Sequence, residues 1–411
     1  MFGLTAAAPP VFVCTFVALL VSLFLNIWLL INNFKFALND LDAGPATAAT
    51  NDGLIKRSEL PQGWWTDSML FQAERRAIFS KTWICVSHRS RFVKPGDYVS
   101  HEIAGFRFFL ILGKDNTVRA FHNVCRHRAF PVTEKASGSS TILGCKYHGW
   151  CYNTQGQLTK APHFDDVSGF DRSQNSLFEI HTKVNEYGFL QINLDGSKEA
   201  GESQLPDTKK IGKPAGINYG SQFLHSWELK GNFNWKLTVN DEYQNGNKTS
   251  KAASGAFRVF HTQDLTPADQ LYFFPLTTVY TKSGSTLWYQ LTYSPDSPQQ
   301  TNVRCDVYSA RKSDAAVFEG TIKDNLEAEI KAKIQKYEAT YGTLTSSNCN
   351  PSDSSYDQAR IADAVTAHLE QEKIEGREIK PATVQQCRSE AFTKAEKLCQ
   401  ALECTSDTLA W

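Results

Sequence analysis

Cys125-Arg126-His127 is followed, after a seventeen-residue spacer, by Cys145-Lys146-Tyr147-His148. The pattern is C-x-H, then C-x-x-H. Two thiolates and two imidazoles suit either one tetrahedral zinc ion or a [2Fe–2S] cluster with both Cys on one iron and both His on the other. In the cluster case, exchanging anionic thiolates for neutral imidazoles raises the potential to between about −150 and +300 mV. Neither chemistry requires His122 or Cys151, which flank the two motifs. His122 reads as structural and Cys151 as a buried or redox-silent thiol. Arg126, Arg128 and Lys146 read as partners of backbone or carboxylates, with recognition of an acidic electron donor as the alternative.

The elements that must position these donors are strands. "RFFLILG" and "NTVRAFHNV" are β-type runs joined at Gly113-Lys114-Asp115-Asn116, and "TILGCKYHGWCYNTQGQL" repeats the pattern with a turn at Gln155-Gly156. Each Cys/His pair therefore ends a β-type run and enters a turn. Zinc fingers instead place their His pair on a helix. Two loops clasping a cluster from opposite sides is the arrangement this spacing favours.

Further along, "HSWELKGNFNWKL", "LYFFPLTTVYT" and "STLWYQLTYS" alternate like antiparallel strands. A helix is predicted over 322–341, with Ile322, Leu326, Ile330 and Ile334 on one stripe and Gly342 as its stop. Glu327–Lys331 and Glu329–Lys333 are spaced to pair on its surface. A second amphipathic helix is predicted over 383–403, with Val384, Cys387, Ala391, Ala395, Leu398 and Leu402 on one face.

Composition excludes several classes. The chain has 411 residues, enough for about two domains, with 43 Lys+Arg against 43 Asp+Glu. A neutral chain without a basic run offers no footprint for nucleic acid. Ten cysteines spread over this length do not make a small disulfide scaffold. The N-terminus stands apart: "VFVCTFVALLVSLFLNIWLLI", residues 11–31, carries no charge. At ~1.5 Å per residue it just covers a hydrocarbon core of ~30 Å. Without a basic n-region it reads as an uncleaved membrane anchor rather than a signal peptide. Lys35, Lys56 and Arg57 lie only C-terminal to it, which favours a cytosolic cluster domain.

The flanks "FHNVCRHRAFPV" and "CKYHGWCYNTQGQL" resemble the two cluster-binding loops of Rieske-type non-heme iron oxygenases, in the choline-monooxygenase-like branch. The resemblance covers roughly residues 63–195, including "GWWTDSMLFQAERRAIFSKTWICVSHRSRFVKPGDY". It implies an α+β chain, with an all-β Rieske domain followed by a helix-grip domain, an antiparallel sheet around a long helix. The expected division is a tail (1–10), a transmembrane anchor (11–33), a tether (34–62), the Rieske domain (63–196), a linker (197–222), the helix-grip domain (223–382) and a C-terminal amphipathic helix (383–411).

The resemblance also implies that Cys125, His127, Cys145 and His148 ligate a [2Fe–2S] cluster. In the family a mononuclear iron is held in the second domain by two His and one carboxylate, just after an "NWK" segment. Here Asn234-Trp235-Lys236 matches that segment, but Gln244 falls at the carboxylate that bridges subunits, and Asn247 and Ala252 fall at the two His. Residues 226–260 contain no His, and His225 and His261 only flank them. Glu327 sits about where the family has its ligand carboxylate. Mononuclear Fe(II) is therefore not expected.

The reading is a membrane-anchored Rieske oxidoreductase that takes electrons from a reductase. It would pass them to an iron-competent oxygenase subunit in a homo- or hetero-oligomer such as a trimer. One alternative is an active oxygenase using His261, Asp241 or Glu242. The other is a non-enzymatic pocket or scaffold protein.

Overall fold

The computed structural model describes residues 60–197, 200–201, 206, 208–209, 216–239, 269–281, 286–311, 318, 321–346, 356–380 and 389–403. The expected anchor at 11–31 and the positions Asp241, Glu242, Gln244, Asn247, Ala252 and His261 lie outside the described residues. Among the described residues, no helix is long and apolar enough to cross a membrane.

Helix α1 (Ser68–Glu74) opens the first domain and continues as a π-turn at Arg75–Phe79. Asp67 caps it, its carboxylate accepting from the amides of Met69 at 2.6 Å and Leu70 at 3.1 Å. This helix departs from the all-β expectation for the domain. The rest is strand: β1 (Ile84–His88), β2 (Asp97–Ile103), β3 (Phe106–Leu112), β4 (Val118–His122), β5 (Ser137–Ser139), β6 (Ile142–Gly144), β7 (Cys151–Asn153), β8 (Leu158–Lys160), β9 (Glu179–Val184) and β10 (Phe189–Asn193). They form a seven-stranded sheet, β1-β10-β9-β4-β3-β2-β5, and a three-stranded sheet, β6-β7-β8.

Both expected hairpin turns are present. Asn116 takes φ 61° between β3 and β4, and Gly156 takes φ 74° between β7 and β8. Gly156 is also a packing necessity. A Cβ there would lie 2.4 Å from the Phe121 ring, so only glycine lets the small sheet close on β4.

The second domain is a five-stranded antiparallel sheet, β11-β15-β14-β13-β12. Its strands are β11 (Gln222–Gly231), β12 (Asp269–Phe273), β13 (Thr277–Thr281), β14 (Leu287–Ser297) and β15 (Gln300–Ser309). "LYFFPLTTVYT" is thus a hairpin, not one strand, because Phe274–Leu276 turns the chain. Long helix α2 (Thr321–Ser346) buries Leu326, Ile330, Ile334 and Tyr337 in one core with Leu291, Tyr293, Val303 and Val307 of the sheet. It runs through Gly342, which does not stop it. Nothing crowds that glycine, and a mid-helix Gly costs only about 1 kcal/mol. Helix α3 (Tyr356–Glu375), not anticipated from sequence, buries Ile361 and Val365 in the same core. Helix α4 (Glu390–Glu403) starts later than expected among the described residues and buries Phe392, Ala395 and Cys399. Of the expected stripe Ala395 is buried and Ala391 half-buried, while the burial of Val384, Cys387, Leu398 and Leu402 lies outside what the structure describes.

The "NWK" segment is tied down from several sides. Asn234 donates to the carbonyls of Trp65 at 3.0 Å and Pro298 at 2.8 Å. Trp235 donates to Glu74 Oε2 at 2.9 Å, and the Lys236 ammonium pairs with Glu74 Oε1 and lies 4.3 Å from the Trp64 ring centroid. Gln358 of α3 accepts from Trp64 and donates to the Lys236 carbonyl, each at 2.7 Å. The Glu74 and Lys236 side chains are 0 % and 1 % exposed. Removing one member leaves the other charge buried and unpaired. Glu74→Ala should therefore lower unfolding stability by about 3–5 kcal/mol, read by denaturant midpoint. A loss under about 1 kcal/mol would show that the pair contributes little beyond packing.

Candidate metal centre

The two motif loops share one backbone plan. The Cys125 amide donates to the Phe130 carbonyl at 2.7 Å, and the Ala129 amide to the Cys125 carbonyl at 2.9 Å. In the second loop Cys145 donates to Trp150 at 2.8 Å, and Gly149 to Cys145 at 2.9 Å. The fifth residue of each loop is left-handed, Ala129 at φ 58° and Gly149 at φ 69°. Asn123 anchors the first loop: its side chain accepts from Val132 and Thr133 at 2.9 and 3.0 Å and donates to the Thr133 carbonyl at 2.7 Å.

The plan brings all four donors together in pairs. Cys125 and Cys145 are buried thiols, neither in a disulfide. Interaction between the two pushes the Cys125 thiol up and the Cys145 thiol down, to about 6. The imidazoles of His127 and His148 lie 4.5 Å apart between centroids, at 71°. His127 is stacked on Trp150 at 5.1 Å and 7°. Burial pushes its imidazole down to about 4, so it is neutral near pH 7. Its Nε2 lies 2.8 Å from Glu396 Oε2, which leaves Nδ1 as the nitrogen for a metal.

Among the described residues, no three His, Cys, Asp or Glu side chains converge on one metal ion. A zinc ion would need all four donors at ~2.0–2.3 Å from a single point. A thiol pair beside an imidazole pair fits a two-iron cluster instead.

The surroundings suit thiolates. The Tyr152 hydroxyl accepts from the Arg126 amide at 3.1 Å and lies 3.2 Å from Cys125 Sγ. Burial pushes that hydroxyl up, so it keeps its proton and can donate to a thiolate. Arg126 donates to the Ser176 carbonyl at 2.6 Å, and Lys146 to Glu134 at 2.6 Å. Arg128 donates to Glu396 Oε1 at 2.7 Å. His122 lies in β4 opposite Phe108, and Cys151 donates to the Gly149 carbonyl at 3.3 Å.

The second-domain candidates do not join this group. Glu327 lies on α2 with its carboxylate 2.6 Å from Lys331 Nζ. His225 packs beside Trp227 and Phe318. A cavity of about 730 Å³ opens near β2, β14 and β15, lined by residues including His101, Glu102, Glu228, Lys230 and Arg304, and none of the four motif donors lines it. Sequence reasoning missed Glu396. Its only trace was its place on an amphipathic helix, and nothing local pointed it toward residue 127.

Comparison with known proteins agrees with this geometry. Residues 82–171 match the Rieske [2Fe-2S] domain. The carnitine monooxygenase oxygenase subunit of Acinetobacter baumannii is 34 % identical over 183 residues, 44 % of this chain and 49 % of that protein. The chloroplastic choline monooxygenase of Spinacia oleracea is 29 % identical over 188 residues, 44 % of this chain and 42 % of that one. The matched stretch thus spans about half the length of these relatives. The apo crystal structure of a quaternary ammonium Rieske monooxygenase superposes with a TM-score of 0.57 at 23 % identity, covering 77 % of this chain and 95 % of that one. At that identity the likeness is one of fold. Residues 82–171 are a Rieske [2Fe–2S] domain, carried in a chain similar in sequence and in fold to the oxygenase subunits of Rieske monooxygenases.

Proposed function

We propose that this chain is the oxygenase-type subunit of a Rieske monooxygenase system, receiving electrons from a reductase at Cys125, His127, Cys145 and His148. The observation that supports it best is the pair of matched loops, which set two thiols beside two imidazoles within the Rieske segment. When bound, a [2Fe–2S] cluster with this ligand set supplies one-electron transfer. The chain's own residues hold the thiolates, present neutral His127 through Nδ1, and donate a hydrogen bond from Tyr152 to Cys125. The sequence likeness covers under half of the chain, so the carnitine and choline of the relatives' names do not carry over as substrate.

A second reading makes the chain an electron relay for an iron-competent partner in a mixed oligomer. The absence of any His from 226–260, with Asn247 and Ala252 at the family's two His positions and Gln244 at its bridging carboxylate, favours it. Under the first reading, iron would draw on donors such as His261, Asp241 or Glu242. We further place the chain on a membrane through residues 11–31, with the cluster domain facing the cytosol.

Iron and acid-labile sulfide per purified chain separate the readings. The first expects a third iron beyond the two of the cluster, and product formed by the chain with its reductase alone. Two irons, with product only after an iron-competent partner is added, would leave the relay. Cys145→Ser should remove the visible absorption and the EPR signal of the reduced protein under either reading. One zinc without sulfide would end both.

Tyr152→Phe should lower the midpoint potential, because a hydrogen bond that stabilises charge on Cys125 sulfur is lost. An unchanged potential would mean the hydroxyl serves only the Arg126 amide.

Carbonate extraction should leave the full chain in the membrane pellet and release a form lacking residues 1–33. Glycosylation at the Asn247-Lys248-Thr249 sequon in the native host would instead put the domain in the lumen.

A further inference from the structure

The cluster loops are completed by a helix from the far end of the chain. Phe392, Ala395 and Cys399 of α4 are 4 %, 0 % and 3 % exposed, and they share a core with Trp150, Phe164 and Leu177 of the cluster domain. This docking delivers Glu396, 269 residues beyond His127, onto the first loop. One carboxylate oxygen lies 2.8 Å from His127 Nε2, and the other accepts from Arg128 Nε at 2.7 Å. Arg128 reaches on to His148, Nη1 to Nε2 at 3.5 Å. The Arg128 guanidinium beside it favours the ionised carboxylate.

The chemistry of the contact has one direction. A carboxylate is acceptor-only, so Nε2 of His127 carries the proton. Nδ1 is then the bare nitrogen, and the Trp150 stack fixes the plane in which it points. A negative charge on the far side of a metal-bound imidazole also raises the ligand's basicity and opposes the arrival of an electron. Arg128 moderates that charge but shares it between both imidazoles.

We propose that Glu396 is a positioning residue of the cluster, brought in by the chain's own C-terminal helix to set the tautomer of His127 and to hold the reduction potential down. The proposal rests on His127 being a ligand. It gives α4 a role that the resemblance of residues 63–195 does not contain.

The test uses the full chain with its cluster, read by redox titration, visible absorption and EPR of the reduced state. Glu396→Gln keeps the shape and loses the charge. It should raise the reduction equilibrium about tenfold, ~59 mV for one electron. Glu396→Ala should shift it at least as far and alter the EPR line shape, as the ring loses its anchor. Glu396→Asp, which restores the charge, should return the potential toward the wild-type value. Loss of the cluster from the Gln and Ala variants but not from the Asp variant would also support positioning. Wild-type potential and EPR spectrum in both Glu396→Gln and Glu396→Ala, at full cluster content, would overturn the proposal. A wild-type chain with no iron or sulfide would instead remove the ligand assignment itself, a separate failure seen before any variant is made.

Discussion

The cluster region depends on one backbone constraint used twice. In each loop the Cys amide bonds a carbonyl five residues on, and the residue before that carbonyl is left-handed. This closes a turn tight enough to hold a thiol and an imidazole on the same side, which a longer or looser loop would not do. The conformation is unstrained for Gly149 and costs Ala129 about 1 kcal/mol. Everything behind the loops serves to keep them shut. Asn123 staples the ends of the first, and Trp150 and Tyr152 fill the space beneath. The missing partner in front is α4, whose Phe392 continues the same aromatic core through contacts with Trp150 and Phe164.

A second constraint explains why the "NWK" segment is present. Asn234, Trp235 and Lys236 are all buried, and each is spent on packing and hydrogen bonds to α1, the Trp64–Trp65 pair and α3. None of these bonds involves a metal donor function. The motif therefore reports the requirement of the fold to join its N-terminal helix to the second domain. It carries no information about whether iron is bound downstream. Replacing Lys236 alone would strand Glu74 in the core, which ties these residues to the fold whatever follows them.

Much of the site was legible in the sequence because its determinants are local. The Cys and His spacing, the turns at Gly113–Asn116 and Gln155-Gly156, and the apolar stripe of α2 all act within a few residues of where they are read. The misses share the opposite property. Gly342 looked like a helix stop, but its surroundings are open and tertiary packing of Ile330, Ile334 and Tyr337 carries the helix past it. Helix α3 is chosen by its contacts with α1, not by a clean apolar period. Glu396 carries no local sign of its partner, since its meaning arises only once Phe392, Ala395 and Cys399 have docked.

The two imidazoles end in different environments, and the difference follows from this docking. His127 is 1 % exposed, closed between Trp150, Phe164 and Glu396. His148 lies under Tyr147, ring to ring at 3.9 Å, and Tyr147 is 53 % exposed and touches exposed Phe130. One imidazole thus faces a fixed charge supplied by the same chain, and the other borders an aromatic surface. Electrostatic control belongs on the buried side, where low dielectric strengthens a single carboxylate. Arg128 reaches both Glu396 and His148, and so it links the charge at Glu396 to the imidazole nearer the surface.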